Sequence, residues 1–409
     1  MMPELIGNFD RKCNDVITKT AVPNAPKQAR SLYCNRSESS CAAKIFPERG
    51  QLCPRVPAAS APARGQSCPR SFGCACAALW SCVDLTPGAS VSASLETVPQ
   101  FPARQSRRFR RFLGELIMFT GTYTAMVTPF KNGAVDETAL NRLIQLQIKG
   151  GVDGIVPVGT TGESPTVDCE EHIRIIERSV KFARGKIKVI AGTGANSTKE
   201  AIYLTQRAED VGADGSLQVA PYYNKPSQEG LFQHFRAIAR ATRLPIVLYS
   251  IPGRCGIEIG VETVSRLARE CKNIIGIKEA GGSADRVSAL RAALGPKFEI
   301  LSGDDSLTLP FMAVGAQGVI SVASNVIPRE VTQMVNAFAH GQIRKASQLH
   351  AKFYPLFKDL FIETNPVPVK AALAMMGLMA EEYRLPLVPM STANRAKLKA
   401  TLKTCGILK

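Results

Sequence analysis

Downstream of Met118 the chain alternates short apolar runs with longer amphipathic stretches of helical period. The runs at 123–128, 154–158, 188–192, 215–220, 245–250, 274–278, 298–302 and 318–322 predict eight strands. They begin about twenty to thirty-five residues apart, which leaves room for a helix between each pair. One such helix begins at Asp168, where Asp168 and Glu171 stand at capping-box spacing. Ile173, Ile176 and Val180 then follow the helical period, and Gly185 sits where a C-terminal cap belongs. Repeated strand–helix units imply an α/β protein with a parallel sheet, and eight of them imply a closed (β/α)8 TIM barrel. A doubly wound open sheet is the alternative. The barrel is assigned to residues 118–325, and residues 326–409 read as a C-terminal helical appendage.

Residues 1–117 break this regularity. They show neither period, and Pro, Ser, Arg, Cys and Ala recur without pattern. They carry 16 Lys/Arg against 8 Asp/Glu, while residues 118–409 carry 35 against 26, so the basic excess is concentrated upstream. The stretch 104–111 could meet nucleic acid or an anionic membrane surface, or belong to an organellar targeting segment. The expectation is plainer: a disordered extension, or a start assigned too early, with translation beginning at Met118. Eight of the twelve cysteines lie in this part, and those around Cys74 lack the paired spacing and histidines of a zinc site. The other four, Cys169, Cys255, Cys271 and Cys405, are scattered, as in a reduced cytoplasmic enzyme. No run of eighteen apolar residues occurs, so no transmembrane helix is expected. The evenly mixed charges after Met118 give no support for nucleic-acid binding.

The chemistry centres on Lys278, which closes the apolar run 274–278. A lysine at the end of a buried strand is poorly solvated, which favours the neutral amine, and a neutral amine attacks carbonyls. Alone, it could equally be a lysine snorkelling from a strand end. In a TIM barrel the C-terminal strand ends carry the chemistry, and here they read as one set. They are Gly159-Thr160-Thr161-Gly162-Glu163-Ser164, Pro221-Tyr222-Tyr223-Asn224, Tyr249-Ser250-Ile251-Pro252-Gly253-Arg254, Lys278-Glu279, Gly303-Asp304-Asp305 and Ile320-Ser321-Val322. Each has a bland reading as a tight turn, rim packing, a helix cap or a surface arginine. Their joint placement around one lysine favours function.

These stretches, with 191–196 (Ala-Gly-Thr-Gly-Ala-Asn), 221–230 and 365–370 (Asn-Pro-Val-Pro-Val-Lys), closely resemble the 4-hydroxy-tetrahydrodipicolinate (dihydrodipicolinate) synthases of the pyruvate-dependent class I aldolase superfamily. The resemblance covers residues 118 to about 408. It implies an imine between Lys278 and pyruvate and condensation with L-aspartate 4-semialdehyde, with no cofactor beyond that imine and no metal. Tyr249 would move protons, relayed by Thr160 and by Tyr223 from a neighbouring subunit. Thr161, Gly303 and the backbone at Ile320 would bind pyruvate, and Arg254 the semialdehyde carboxylate. A homotetramer is implied, and feedback by lysine at His172, Asn196, Glu200 and Tyr222. Asn196 and Glu200, four residues apart at the start of one helix, would share a face.

Two departures stand out. Cys255 follows Arg254 where many relatives have threonine, and Cys169 stands where strongly regulated relatives carry histidine, which implies partial or weak feedback. The competing readings are N-acetylneuraminate lyase or 2-keto-3-deoxy sugar-acid chemistry on the same lysine, and a catalytically silent pyruvate-binding protein. Arg254 argues against the sugar-acid readings.

Overall fold

The computed structural model describes residues 119–409; the readings of residues 1–117 and of a start at Met118 fall outside them. All eight expected runs form parallel strands: β1 (Gly121–Ala125), β4 (Gly154–Val156), β5 (Lys188–Gly192), β6 (Gly215–Val219), β7 (Ile246–Ser250), β8 (Ile274–Glu279), β9 (Glu299–Ser302) and β10 (Gly318–Ser321). They close into one barrel in the order β1-β10-β9-β8-β7-β6-β5-β4, so every strand pairs with its neighbours in the chain. The open doubly wound sheet is thereby excluded. Closure depends on an approach that only glycine allows: a Cβ on Gly318 (φ +153°) would lie 1.9 Å from the carbonyl oxygen of its register partner Gly121. The same end of the barrel, where the strands begin, is filled by Phe119 and Tyr123, which lie against Gly215 and Gly154 and whose rings meet edge to face at 5.9 Å.

The helix Cys169–Ala183 starts as expected, with the Glu171 amide donating to Asp168 at 2.8 Å. The reciprocal half of the capping box does not form, because the Glu171 carboxylate binds the Arg384 guanidinium at 2.5 and 2.8 Å. Its C-cap is Arg184, with Gly185 following at φ +71°. A small ribbon of β2 (Phe130–Lys131) and β3 (Ala134–Val135) was not expected. Its strands are too short to show a period, and the sign that marks it is the Asn132-Gly133 turn, both residues at positive φ.

After β10 the helix Pro328–Ala339 packs on Glu137–Gly150 and on β1, completing the outer ring. Helices Ile343–Asp359, Val367–Met375 and Thr392–Thr404 follow. Val367–Met375 is buried nearly all round, from Val367 through Leu373.

Candidate active site

Lys278 and Tyr249 are register partners across β8 and β7, which puts both side chains on one face of the sheet. The Lys278 ammonium nitrogen, Nζ, lies 4.1 Å from the centre of the Tyr249 ring. Burial lowers the lysine to about 7, the Asp305 carboxylate opposes this, and Arg254 adds to it. Lys278 forms no ion pair among the described residues. The Tyr249 phenol is held above its ordinary value by burial, against the pull of Arg254 and of its hydrogen bond with Thr160. It therefore stays protonated and can donate. Gly303 leaves room for the lysine stem: a Cβ there would sit 3.0 Å from Lys278 Cε and 2.7 Å from Ala280 Cβ.

Of the two adjacent aspartates, Asp304 caps its own turn through the Ser306 amide at 2.7 Å. Asp305 turns inward and is buried, accepting from the Ser321 hydroxyl at 2.5 Å and from the amides of Val322 and Ala323, both at 3.0 Å. It thus holds the end of β10, just beyond Ile320, while its charge acts on Lys278. The sequence reading took only Gly303 from this stretch.

Thr160 and Thr161 lie on a 3-10 turn after β4. The turn is bracketed by Val158 (φ +51°) and Glu163 (φ +57°), two left-handed non-glycine residues that cost roughly 1–3 kcal/mol each. What holds them is tertiary. Thr128 donates to the Gly162 carbonyl at 2.7 Å. The buried Glu163 carboxylate pairs with the wholly buried Lys370 ammonium and accepts the Arg384 amide at 3.3 Å. Lys370 lies 4.4 Å over the Phe130 ring. Asn365, from the same short segment, donates its side-chain amide to Thr161 Oγ1 at 3.1 Å, and its carbonyl accepts from Arg254 Nη2 at 3.0 Å. Sequence reading missed Asn365, Lys370 and Glu163 as site residues; the 365–370 motif was visible, but its partners far along the chain were not.

A cavity of about 190 Å³ opens here, lined by Thr160, Tyr222, Tyr249, Arg254, Cys255 and Ser164 among others. Lys278 is not on its wall but lies beneath, against the Tyr249 ring. Cys255 donates to the Ala220 carbonyl at 3.2 Å, and burial pushes its thiol up to about 11, so it packs under the loop as a neutral group. Tyr223 is apart from the others: it is 91% exposed, at φ +72°, and does not line the cavity. A larger groove of about 670 Å³ lined by Gln206, Glu209, Asp210 and Arg240–Arg243 contains none of these residues.

The four expected effector residues gather only in part. Asn196 donates to the Tyr222 carbonyl at 3.2 Å, and burial, with the Glu200 charge second, holds the Tyr222 phenol above its usual value. The expected shared helical face is wrong, since the helix is Thr198–Asp210 with Ser197 as its cap, and Asn196 lies outside it. Tyr222 is what brings the two together. His172 is buried with Nε2 2.7 Å from the Gly192 carbonyl, and burial lowers its pKa, so it is a neutral donor to the backbone. Cys169 is exposed at the start of its helix.

Residues 118–405 match the Dihydrodipicolinate synthetase family. A protein of Endomicrobium trichonymphae named 4-hydroxy-tetrahydrodipicolinate synthase is 53% identical over 292 residues, 71% of this chain and 100% of that protein. The solved structure of the 4-hydroxy-tetrahydrodipicolinate synthase from Methylacidiphilum fumariolicum SolV is 59% identical with a TM-score of 0.70, covering 71% of this chain and 96% of its own. The structure of DHDPS from Cyanidioschyzon merolae with lysine bound is 42% identical with a TM-score of 0.69, covering 71% and 99%. The matched stretch contains the whole barrel, the buried lysine with its tyrosine, and the segment that grips the Thr160–Gly162 turn, so the chain belongs to the dihydrodipicolinate synthetase family.

Proposed function

We propose that the chain condenses pyruvate with L-aspartate 4-semialdehyde through an imine on Lys278, giving 4-hydroxy-tetrahydrodipicolinate for lysine and diaminopimelate biosynthesis. The observation that carries this is a buried, unpaired lysine brought to about 7 and set against a protonated tyrosine. The neutral amine adds to the pyruvate carbonyl, and loss of water leaves a protonated imine. That imine accepts the electrons released when a methyl proton leaves, so the scheme needs no resident metal or organic cofactor. The resulting enamine attacks the aldehyde carbon, whose oxygen takes a proton. The substrate's amino group then attacks the imine carbon and expels Lys278 as the free amine. The hydroxyls of Tyr249 and Thr160 are suited to passing these protons, since each donates and accepts while uncharged.

Thr161 and the backbone at Ile320 hold pyruvate beside Gly303, and Arg254 takes the semialdehyde carboxylate with its planar fork. Tyr223, fully offered to solvent on one protomer, reaches the site of a neighbour in a homotetramer, an assembly that light scattering would weigh directly. The free described cysteines fit a reducing cytoplasm. Lysine binds at Asn196, Glu200 and Tyr222 above His172, a reading supported by the cluster on Tyr222 and by the relative solved with lysine bound. With Cys169 beside them, a weak hydrogen-bonding group, inhibition is partial.

Borohydride with pyruvate is expected to leave a covalent adduct on Lys278, located by peptide mass spectrometry, with activity lost. An adduct on another residue, or full activity in Lys278→Ala, refutes the imine. In a coupled assay Arg254→Ala should raise KM for the semialdehyde and lower turnover, a loss of roughly 2–5 kcal/mol, while pyruvate imine formation persists. Unchanged kinetics, or better turnover with sugar acids, points to another aldolase. Millimolar lysine should slow the wild type partially and Glu200→Ala much less; equal inhibition of both removes the site.

A further inference from the structure

We propose that Asn365 is a positioning residue that sets the two carboxylate-binding groups, Thr161 and Arg254, and fixes the direction in which the Thr161 hydroxyl donates. The inference rests on the reading above, in which those two groups receive the carboxylates of the two substrates. Thr161 and Arg254 lie 204 and 111 residues from Asn365 in the chain and belong to different loops of the barrel mouth. Asn365, 5% exposed, is the residue that touches both.

The chemistry of the contact matters more than its existence. A hydroxyl has one proton to give and two lone pairs to offer. The Asn365 amide N–H occupies a lone pair of Thr161 Oγ1 at 3.1 Å, which leaves the hydroxyl proton free to donate. A carboxylate only accepts, so pyruvate needs that proton. With the amide reversed, the threonine would donate to Asn365 instead, and its proton would be spent. Polarisation by the amide also strengthens the outgoing bond.

The backbone carbonyl of the same residue takes one N–H of Arg254, at 3.0 Å, and leaves the rest of the fork open. Five residues on, Lys370 pairs with Glu163. The turn carrying Thr161 is therefore gripped at two points by one short segment of the C-terminal region. The side-chain oxygen of Asn365 is buried with no hydrogen-bond partner. The side chain thus spends its amide hydrogen on Thr161 while its own acceptor goes unmet.

The test is the half-saturation concentration of pyruvate for borohydride-trapped imine in wild type, Asn365→Ala, Asn365→Asp, Thr161→Val and the double variant Thr161→Val/Asn365→Asp. Asn365→Asp, nearly the same shape, cannot donate and would capture the threonine proton, so half-saturation should rise about tenfold or more. Asn365→Ala should rise less. The double variant should match Thr161→Val within about twofold, because Asn365 acts through that hydroxyl. Unchanged half-saturation in both Asn365 single variants, or losses that multiply in the double variant, overturns the proposal. Losses that follow a lowered melting temperature in both also overturn it, in favour of a purely structural role. A wild type that traps no pyruvate on Lys278 refutes the underlying reading, an outcome distinct from a trapping wild type with unaffected variants.

Discussion

The structure depends on one lysine kept out of water without an ion-pair partner. Two lysines among the described residues are almost wholly buried, and they are used in opposite ways. Lys370 is paired with Glu163 and stacked on Phe130, so its charge is matched and its task is to hold a turn. Lys278 has an aromatic face and a carboxylate acting from beyond ion-pair distance, and burial brings it to about 7. A shift from 10.5 to about 7 corresponds to about 5 kcal/mol of differential interaction. The folded chain holds fewer protons here than the unfolded chain between those two values, so this penalty weighs fully on stability below pH 7 and disappears as pH rises past 10.5. The fold carries that cost, and the amine is nucleophilic near neutrality as a result.

The second constraint is the turn that faces the lysine. Val158 and Glu163 hold left-handed backbone on either side of Thr160 and Thr161, with local support at Glu163 limited to the turn's own backbone bonds, such as its amide donating to the Thr160 carbonyl. The compensation comes from the far end of the sequence, through Asn365, Lys370 and the Arg384 amide. The helices after the barrel are thus part of the site's frame. Removing one partner of a buried pair such as Glu163–Lys370 leaves an uncompensated charge, which costs more than the intact pair contributes.

Much of the fold was legible because its signals are local. Parallel strands buried on both faces read as apolar runs, and all eight appear where the runs fall. Lys278 was visible because a charge ended such a run. Long-range contacts were not legible. Lys370 sits in an apolar helix and looks out of place until Glu163 is seen opposite it. Asp304 and Asp305 are adjacent and alike in sequence, and only packing decides which caps a turn and which enters the core. Asn196 and Glu200 were read as one helical face because the capping-box spacing of Ser197 and Glu200 went unread, and Ser197 starts the helix between them. Tyr223 is legible as a motif residue, yet a single chain leaves it turned to solvent.

The central claim, that burial without an ion pair makes Lys278 a neutral amine near physiological pH, is most directly tested by the pH dependence of imine formation. Initial rates of borohydride-trapped adduct at low pyruvate, measured from acid to alkaline pH, should rise through a midpoint near 7 and then level off. A midpoint near the ordinary lysine value of about 10.4 would contradict the account, because the amine would then be charged in the folded chain at neutral pH.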